Sequence, residues 1–358
     1  MAVITLKDLF IVPTEHQREP ADVFAPLATA SDVQLLLEES AEQLDRAERL
    51  RIDATLTALL ANLLSALPGD RRVELTLPSS PSLQVQLART PLLAVLAMRT
   101  ELVEVHPALR RWAEFWDPHD AAQRARILAA PDTQDPVQRH LMTLVDPHRR
   151  ASTDLQRDVR GIVDPWLGRL FVARGRSADR SRAMRDLETA MSELVENVGD
   201  HAHVDRTGRE ARSVAQLMTT SGGGDRSHDR FRLIVMDNGI GLPKSIKARR
   251  ADLNGESAVR FAFEGRLSYG DRGRGLTHVG RVISGNPGSS FTMYTELFPE
   301  RNRSLRVSIG SNGRADVQEV ALAVVGTLAV GKLNLPALAR QDPTLFEAPD
   351  DELALLGA

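Results

Sequence analysis

Glu193 and Asn197 stand four residues apart in the stretch Leu187–Ala202, LETAMSELVENVGDHA. On a helix that spacing sets a carboxylate and a carboxamide one turn apart on one face. The carboxamide oxygen can ligate a hard cation such as Mg²⁺, while the carboxylate positions or deprotonates a water beside a phosphate. Asp200 and His201 extend the same polar edge. Leu187, Met191, Leu194 and Val198 recur at helical intervals and form the stripe that such a helix would bury. Taken alone, the stretch reads better as an ordinary surface helix with common polar residues.

Two later stretches carry a different chemistry. Phe231–Pro243, FRLIVMDNGIGLP, is a short apolar strand that ends on Asp237 and runs into Gly239 and Gly241. A carboxylate at a strand end suits the exocyclic amine of a flat base. The glycines let the backbone approach that base and adopt positive φ. Gly270–Leu276, GDRGRGL, precedes the helical run THVGRVI. Gly273 and Gly275 there offer bare N–H groups at the positive end of a helix, which is a phosphate site. DNG is a common turn and GRG a common loop. The order and spacing of the three stretches carry the weight.

ELVEN…DHA, DNGIGLP and GDRGRGL, in that order, resemble the N box and the two glycine boxes of the GHKL ATPases. That superfamily includes gyrase B subunits, Hsp-type chaperones, sensor histidine kinases and MutL-like repair proteins. Val325–Pro336, VGTLAVGKLNLP, is similar to the closing GT…LP strand of such domains. The resemblance spans about Ala178 to Pro336 and implies an ATP site with Mg²⁺. Glu193 would be the general base that orients the attacking water, and Asn197 the metal ligand. Asp237 would bind the adenine amine in a pocket shaped by Gly239 and Gly241. Gly273, Gly275 and the backbone of Leu276 would hold phosphates. Thr327 would lie near the adenine, and Asp200 behind the site. Lys244–Arg272 would be a mobile nucleotide lid, with Lys244 and Arg274 in reach of phosphate or solvated at the surface.

The expected fold class is therefore α/β: a two-layer GHKL sandwich with a mixed, mainly antiparallel sheet, plus a mainly helical N-terminal region. Residues 1–150 would form that region as a partner or effector module, 151–177 a connecting helix, 178–338 the ATP-binding domain and 339–358 an acidic tail. Val3–Leu6 is a possible strand. Ser31 is expected to cap a helical region running to Leu67, stopped by Pro68-Gly69. Val73–Leu77 and Leu83–Leu87 alternate and are expected to pair as strands; with the helix after Pro91 they faintly resemble a STAS module. Trp112 and Trp116 belong to an expected helix and core, Pro131–His140 and Asp146–Ser152 to connections, and Leu155–Val172 to a helix. Ser213–Thr220 and Phe231–Met236 are expected to form a hairpin, and Phe291–Leu297, Leu305–Ile309 and Thr327–Leu335 to be strands, with a turn at Ser311–Gly313.

The 358 residues carry a formal net charge of −3, which gives no support to nucleic acid as a partner. Cysteine is absent, which excludes disulfides and thiolate metal sites. The start lacks a signal-peptide pattern, and no stretch reaches the ~18 apolar residues of a membrane span. A soluble, cytoplasmic protein is expected, with ATP and either a protein partner or its own dimer as ligands. Asp200, His201 and His203 lack a further strong ligand for a zinc site, and His148-Arg149-Arg150 is a poor match to a phosphoacceptor histidine. The expected activity is slow ATP hydrolysis driving a nucleotide-gated switch. The alternative is a protein serine or histidine kinase of the two-component or anti-sigma type; a module that binds without turnover also stands open.

Overall fold

The computed structural model describes residues 1–10, 19–40, 52–67, 71–80, 91–106 (except 98), 141–145, 213–220, 230–263 (except 249), 275–298, 301–310 and 312–334. It also describes Leu83, Gln84, Leu87, Leu109, Ala190, Glu193, Leu194 and Asn197. Expectations for Trp112, Trp116, Leu155–Val172, the connections at 131–140 and 146–152 and the acidic tail lie outside these residues.

The chain opens with β1 (Ala2–Thr5), which turns Ala2 and Ile4 inward. A 3₁₀ turn over Leu6–Leu9 and the short α1 (Pro20–Phe24) lead to β2 (Asp32–Leu36). Next come α2 (Ala54–Ser65) and β3 (Arg72–Thr76), then α3 (Leu92–Leu96) and α4 (Thr100–Val105). β1 and β3 both pair parallel with β2, an arrangement that requires crossovers between the strands.

Two local expectations are corrected here. Where it is described, the helical region expected from Ser31 to Leu67, as two helices or one bent one, holds the strand β2 and the shorter helix α2. Asp32–Leu36 alternates exposed and buried positions, with Val33 and Leu35 fully buried, so its period is two. The true helix start is Asp53, whose Oδ1 accepts the N–H groups of Thr55 (2.6 Å) and Leu56 (3.1 Å). Leu83, Gln84 and Leu87 are helical, not a strand. Leu83 and Leu87, four apart and both buried, fit a helix as well as they fit an alternating pattern, and Gln84 N–H bonds the Ser80 carbonyl at 3.0 Å.

The rest of the described chain builds one larger sheet. Its elements are β4 (Leu141–Val145), β5 (Ser213–Thr220), β6 (Arg230–Asp237), α5 (Leu242–Lys247), α6 (Gly255–Phe263), α7 (Gly275–Gly285), β7 (Ser290–Phe298), β8 (Arg303–Ile309), β9 (Ala315–Val320) and β10 (Thr327–Asn334). The strand order is β4-β5-β6-β10-β7-β8-β9, and every neighbouring pair is antiparallel. The β5–β6 pairing and strands β7, β8 and β10 fall where the sequence puts them. Strands β4 and β9 were not expected.

Alternation sorts the sheet residues between two cores. Leu233, Val235, Met293, Ala329 and Leu333 face a core shared with Val259 and Ala262 of α6 and with Val279 and Ile283 of α7. Ile234, Met236, Tyr294, Leu328 and Val330 face the opposite way, into a core continuous with α2 and the parallel sheet. The protein is thus a mixed α/β structure in which the antiparallel sheet is covered by helices on one face and by the N-terminal unit on the other. No helix among the described residues is long and apolar enough to cross a membrane.

Candidate functional site

Asp237 is the last residue of β6, and in the antiparallel register it stands opposite Thr327, which in turn stands opposite Thr295. Two residues further in, on the same face of the sheet, Val235, Ala329 and Met293 lie side by side in the same way. These two rungs make a floor: a polar row at the strand ends and an apolar row behind it.

Above the floor is a cavity with an empty volume of about 500 Å³, counting the solvent at its opening. It is lined by Val235, Asp237, Met293, Thr327 and Ala329 below, and by Leu194, Asn197, Gly241, Leu242 and Leu276 around it. Its largely apolar lining, with a few convergent polar groups, has the character of a small-molecule site.

Each wall has a local cause. Gly241 has φ +75° and precedes α5, where Pro243 occupies the first turn. A Cβ there would press on Glu296 and on the Gly326 carbonyl, so glycine lets the chain turn tightly around the Asp237 corner. α7 begins at Gly275 and brings Leu276, buried, to the cavity. The helical positions Ala190 and Leu194 are buried, while Glu193 and Asn197 are half-buried.

Asp237 is only 3% exposed. Its Oδ1 accepts the Gly239 N–H at 2.8 Å, and a backbone donor from Thr327 also reaches the carboxyl. Burial pushes this carboxyl up to about 7; the Gly239 and Thr327 donors work against that rise, and the nearby Glu296 carboxylate adds to it. Two backbone donors leave acceptor capacity on a group that fronts the cavity.

Of the residues singled out from sequence, Asn197, Asp237, Gly241, Leu276 and Thr327 meet at this one cavity. Gly239 supports it through its bond to Asp237. Glu193 lies one turn from Asn197 but does not line the cavity. Asp200, Gly273 and Arg274 lie outside the described residues, and Gly275 contributes the start of α7. The described part of the expected lid, Lys244–Arg272, contains packed helices, the end of α5 and all of α6. Ile246, Ala258, Val259, Ala262 and Phe263 are buried, because the apolar positions of α6 recur at helical spacing against the sheet. Lys244 engages a carboxylate: its Nζ lies 2.6 Å from Glu296 Oε1.

Three residues escaped the sequence. Thr295 is fully buried and accepts the Leu242 N–H at 2.9 Å, and its hydroxyl bonds the Gly326 carbonyl at 3.2 Å. Glu296 is fully buried beneath Lys244. Gly326 has φ +61°, and a Cβ on it would collide with the Asp237 carboxylate, the Asp237 carbonyl and the Gly239 nitrogen. The Gly326-Thr327 dipeptide ahead of an apolar strand was the readable signal for the last of these. Nothing in the pattern around Thr295 or Glu296 distinguishes them from other strand residues.

Among the described residues no group of three or more His, Cys, Asp or Glu could hold a metal ion. The chain matches no protein-family model and no curated protein.

Proposed function

We propose that this cavity binds ATP with Mg²⁺ and that the protein is a GHKL-type ATPase, whose nucleotide state alters its contacts with a partner or a second copy. The observation that supports this best is the meeting of Asn197, Asp237, Gly241, Leu276 and Thr327, from four separate sequence motifs, around one apolar slot. Val235, Met293 and Ala329 offer a flat apolar face to a purine, and Asp237 offers the acceptor its exocyclic amine needs. The start of α7 beside Leu276 presents N–H donors and a positive helix end to phosphate.

Asn197 suits the metal. Mg²⁺ keeps most of its waters and takes few protein ligands beside substrate phosphates, so a single carboxamide at the cavity wall is enough. When bound, the ion neutralises phosphate charge. Glu193, one turn away, would orient or deprotonate the attacking water.

The test is thermal and enzymatic. At a nucleotide concentration 100-fold above its Kd, bound ATP·Mg adds about 2.7 kcal/mol, or roughly 5–10 °C in the Tm of a nucleotide domain of about 150–250 residues. GTP·Mg, which lacks the exocyclic amine at that position, is expected to give a much smaller shift. Absence of any shift with ATP·Mg would remove the proposal.

A further inference from the structure

Asn62 sits in the middle of α2, within the apolar run ALLANLLSAL, and is completely buried. A carboxamide in such a setting must find partners, because an unpaired polar group away from water is costly. Its partners lie across the interface between the N-terminal unit and the antiparallel sheet. Nδ2 donates to the Val325 carbonyl at 2.9 Å and, at 3.4 Å, to the Asp237 carbonyl. Oδ1 accepts the Val325 N–H at 3.1 Å. The side chain thus grips both backbone groups of Val325, as a neighbouring strand would.

Val325 precedes Gly326 and Thr327, which pack directly on Asp237. From the other side the Gly326 carbonyl accepts the Glu296 N–H at 2.9 Å and the Thr295 hydroxyl at 3.2 Å. The turn that closes the polar end of the cavity is therefore held by β7 on one flank. On the other flank Asn62, a residue of a different structural unit, holds it.

We infer that Asn62 is a positioning residue for the purine subsite. Through Val325 it fixes the Gly326–Thr327 turn, and with it the backbone donor that reaches Asp237, so affinity at the cavity depends on how α2 is docked. The inference rests on the nucleotide reading for the ligand, and on hydrogen-bond geometry alone for the link. Because coupling is reciprocal, a ligand held at Asp237 also tightens the docking of the N-terminal unit.

The experiment compares Asn62→Leu with Leu60→Ala in the full chain. Leu60 is equally buried on the same helix, and its apolar side chain makes no hydrogen bond to that turn. Hydrogen exchange is followed without ligand over residues 322–329 and 236–242, and ATP·Mg binding is followed by calorimetry. Asn62→Leu is expected to speed exchange in those two segments selectively and to raise the Kd about tenfold or more, the scale of allosteric coupling. Leu60→Ala is expected to lower Tm while leaving the Kd and the selectivity of exchange unchanged. If Asn62→Leu does not fold, Asn62→Asp replaces it: this variant keeps the acceptor for Val325 N–H, loses both donor bonds, and is expected to act in the same direction. Wild-type exchange in both segments, or an equal loss of affinity in Leu60→Ala, overturns the inference. Failure of the wild-type chain to bind ATP·Mg overturns the nucleotide reading by itself, and the exchange arm then still decides for or against Asn62.

Discussion

Lys244 Nζ lies 2.6 Å from Glu296 Oε1, an ion pair in which the lysine is half-exposed and the carboxylate is completely buried. It fastens α5 to β7 directly behind the Asp237 corner. The arrangement is asymmetric: removing the lysine takes the Nζ contact from a buried carboxylate, whereas removing both charges takes the carboxylate away as well. Lys244→Met is expected to cost about 1–3 kcal/mol, between an exposed pair and a fully buried one, because the lysine side is half-solvated. Adding Glu296→Gln should recover most of that loss. Urea denaturation of the two single variants and the double variant measures the coupling; additive losses would show that the pair contributes nothing as a pair.

Asp237 makes stability depend on pH with a definite sign. Burial, the largest influence, raises its folded-state value to about 7 from an ordinary 3.8. The folded chain therefore holds this proton more tightly than the unfolded chain does. The resulting stability is complete below about pH 4 and is lost as pH rises through about 7. At 1.36 kcal/mol for each pH unit of difference, the loss is on the order of 4 kcal/mol. Asp237→Asn, which cannot titrate, should lack that slope. Stability curves of both proteins at several values between about pH 5 and pH 8 provide the comparison, and parallel curves would contradict the assignment.

The same proton couples to ligand. An exocyclic amine is held more strongly by the carboxylate than by the acid, so binding adenosine should strengthen as pH rises through about 7 and release a proton from Asp237. Adenosine is the right probe because it has no phosphate of its own to titrate. Calorimetry in two buffers of different ionisation enthalpy reads the released proton directly. Equal heats in the two buffers at about pH 6, where the buried acid is protonated, would exclude Asp237 as the acceptor.

Two glycines on or beside one strand should respond in opposite ways. Gly326, at φ +61°, touches Asp237 and Gly239 so closely that any Cβ displaces backbone. Gly326→Ala is expected to cost about 1–3 kcal/mol in backbone strain alone, with more from the collision, and to abolish binding at the cavity. Gly331 has ordinary φ, and a Cβ there meets only Leu233 Cβ, at 3.9 Å. Gly331→Ala should be neutral or stabilising by about 0.5–1 kcal/mol. Tm and adenosine affinity measured on the pair separate a steric requirement from a general intolerance of the strand.

What could be read from the sequence divides along a physical line. β6 and β10 were legible because a short apolar run ends on a turn signal, and that local chemistry survives any packing. The strand Asp32–Leu36 was misread because the run Leu35-Leu36-Leu37 hides the alternation of Val33 and Leu35, and only pairing with β1 and β3 selects the extended form. β9 was missed because it turns a single buried side chain, Val317, to the core, with Asp316, Gln318 and Glu319 around it. At the site, Asp237 announced itself through Asn238-Gly239. Asn62 did not, since its partners Val325 and Asp237 are brought to it only by the docking of α2 on the sheet. A lone Asn among leucines was the one available hint, and it names no partner.

Asn197 and Glu193 are both helical positions four residues apart in sequence, and of the two Asn197 lines the cavity. Their proposed roles separate in different assays. Asn197→Ala should weaken ATP binding in the presence of Mg²⁺ and leave binding in excess chelator almost unchanged, because it removes a metal ligand and no contact to the base. Glu193→Ala should keep ATP·Mg binding and lose phosphate release by about 10²–10⁴-fold, the usual contribution of a positioned general base. A carboxylate set back from the cavity wall in the free protein still has this role open to it, since catalytic contacts often tighten only with substrate bound. Undiminished phosphate release in Glu193→Ala would mean that the turnover chemistry lies elsewhere, and that this helix serves the metal alone.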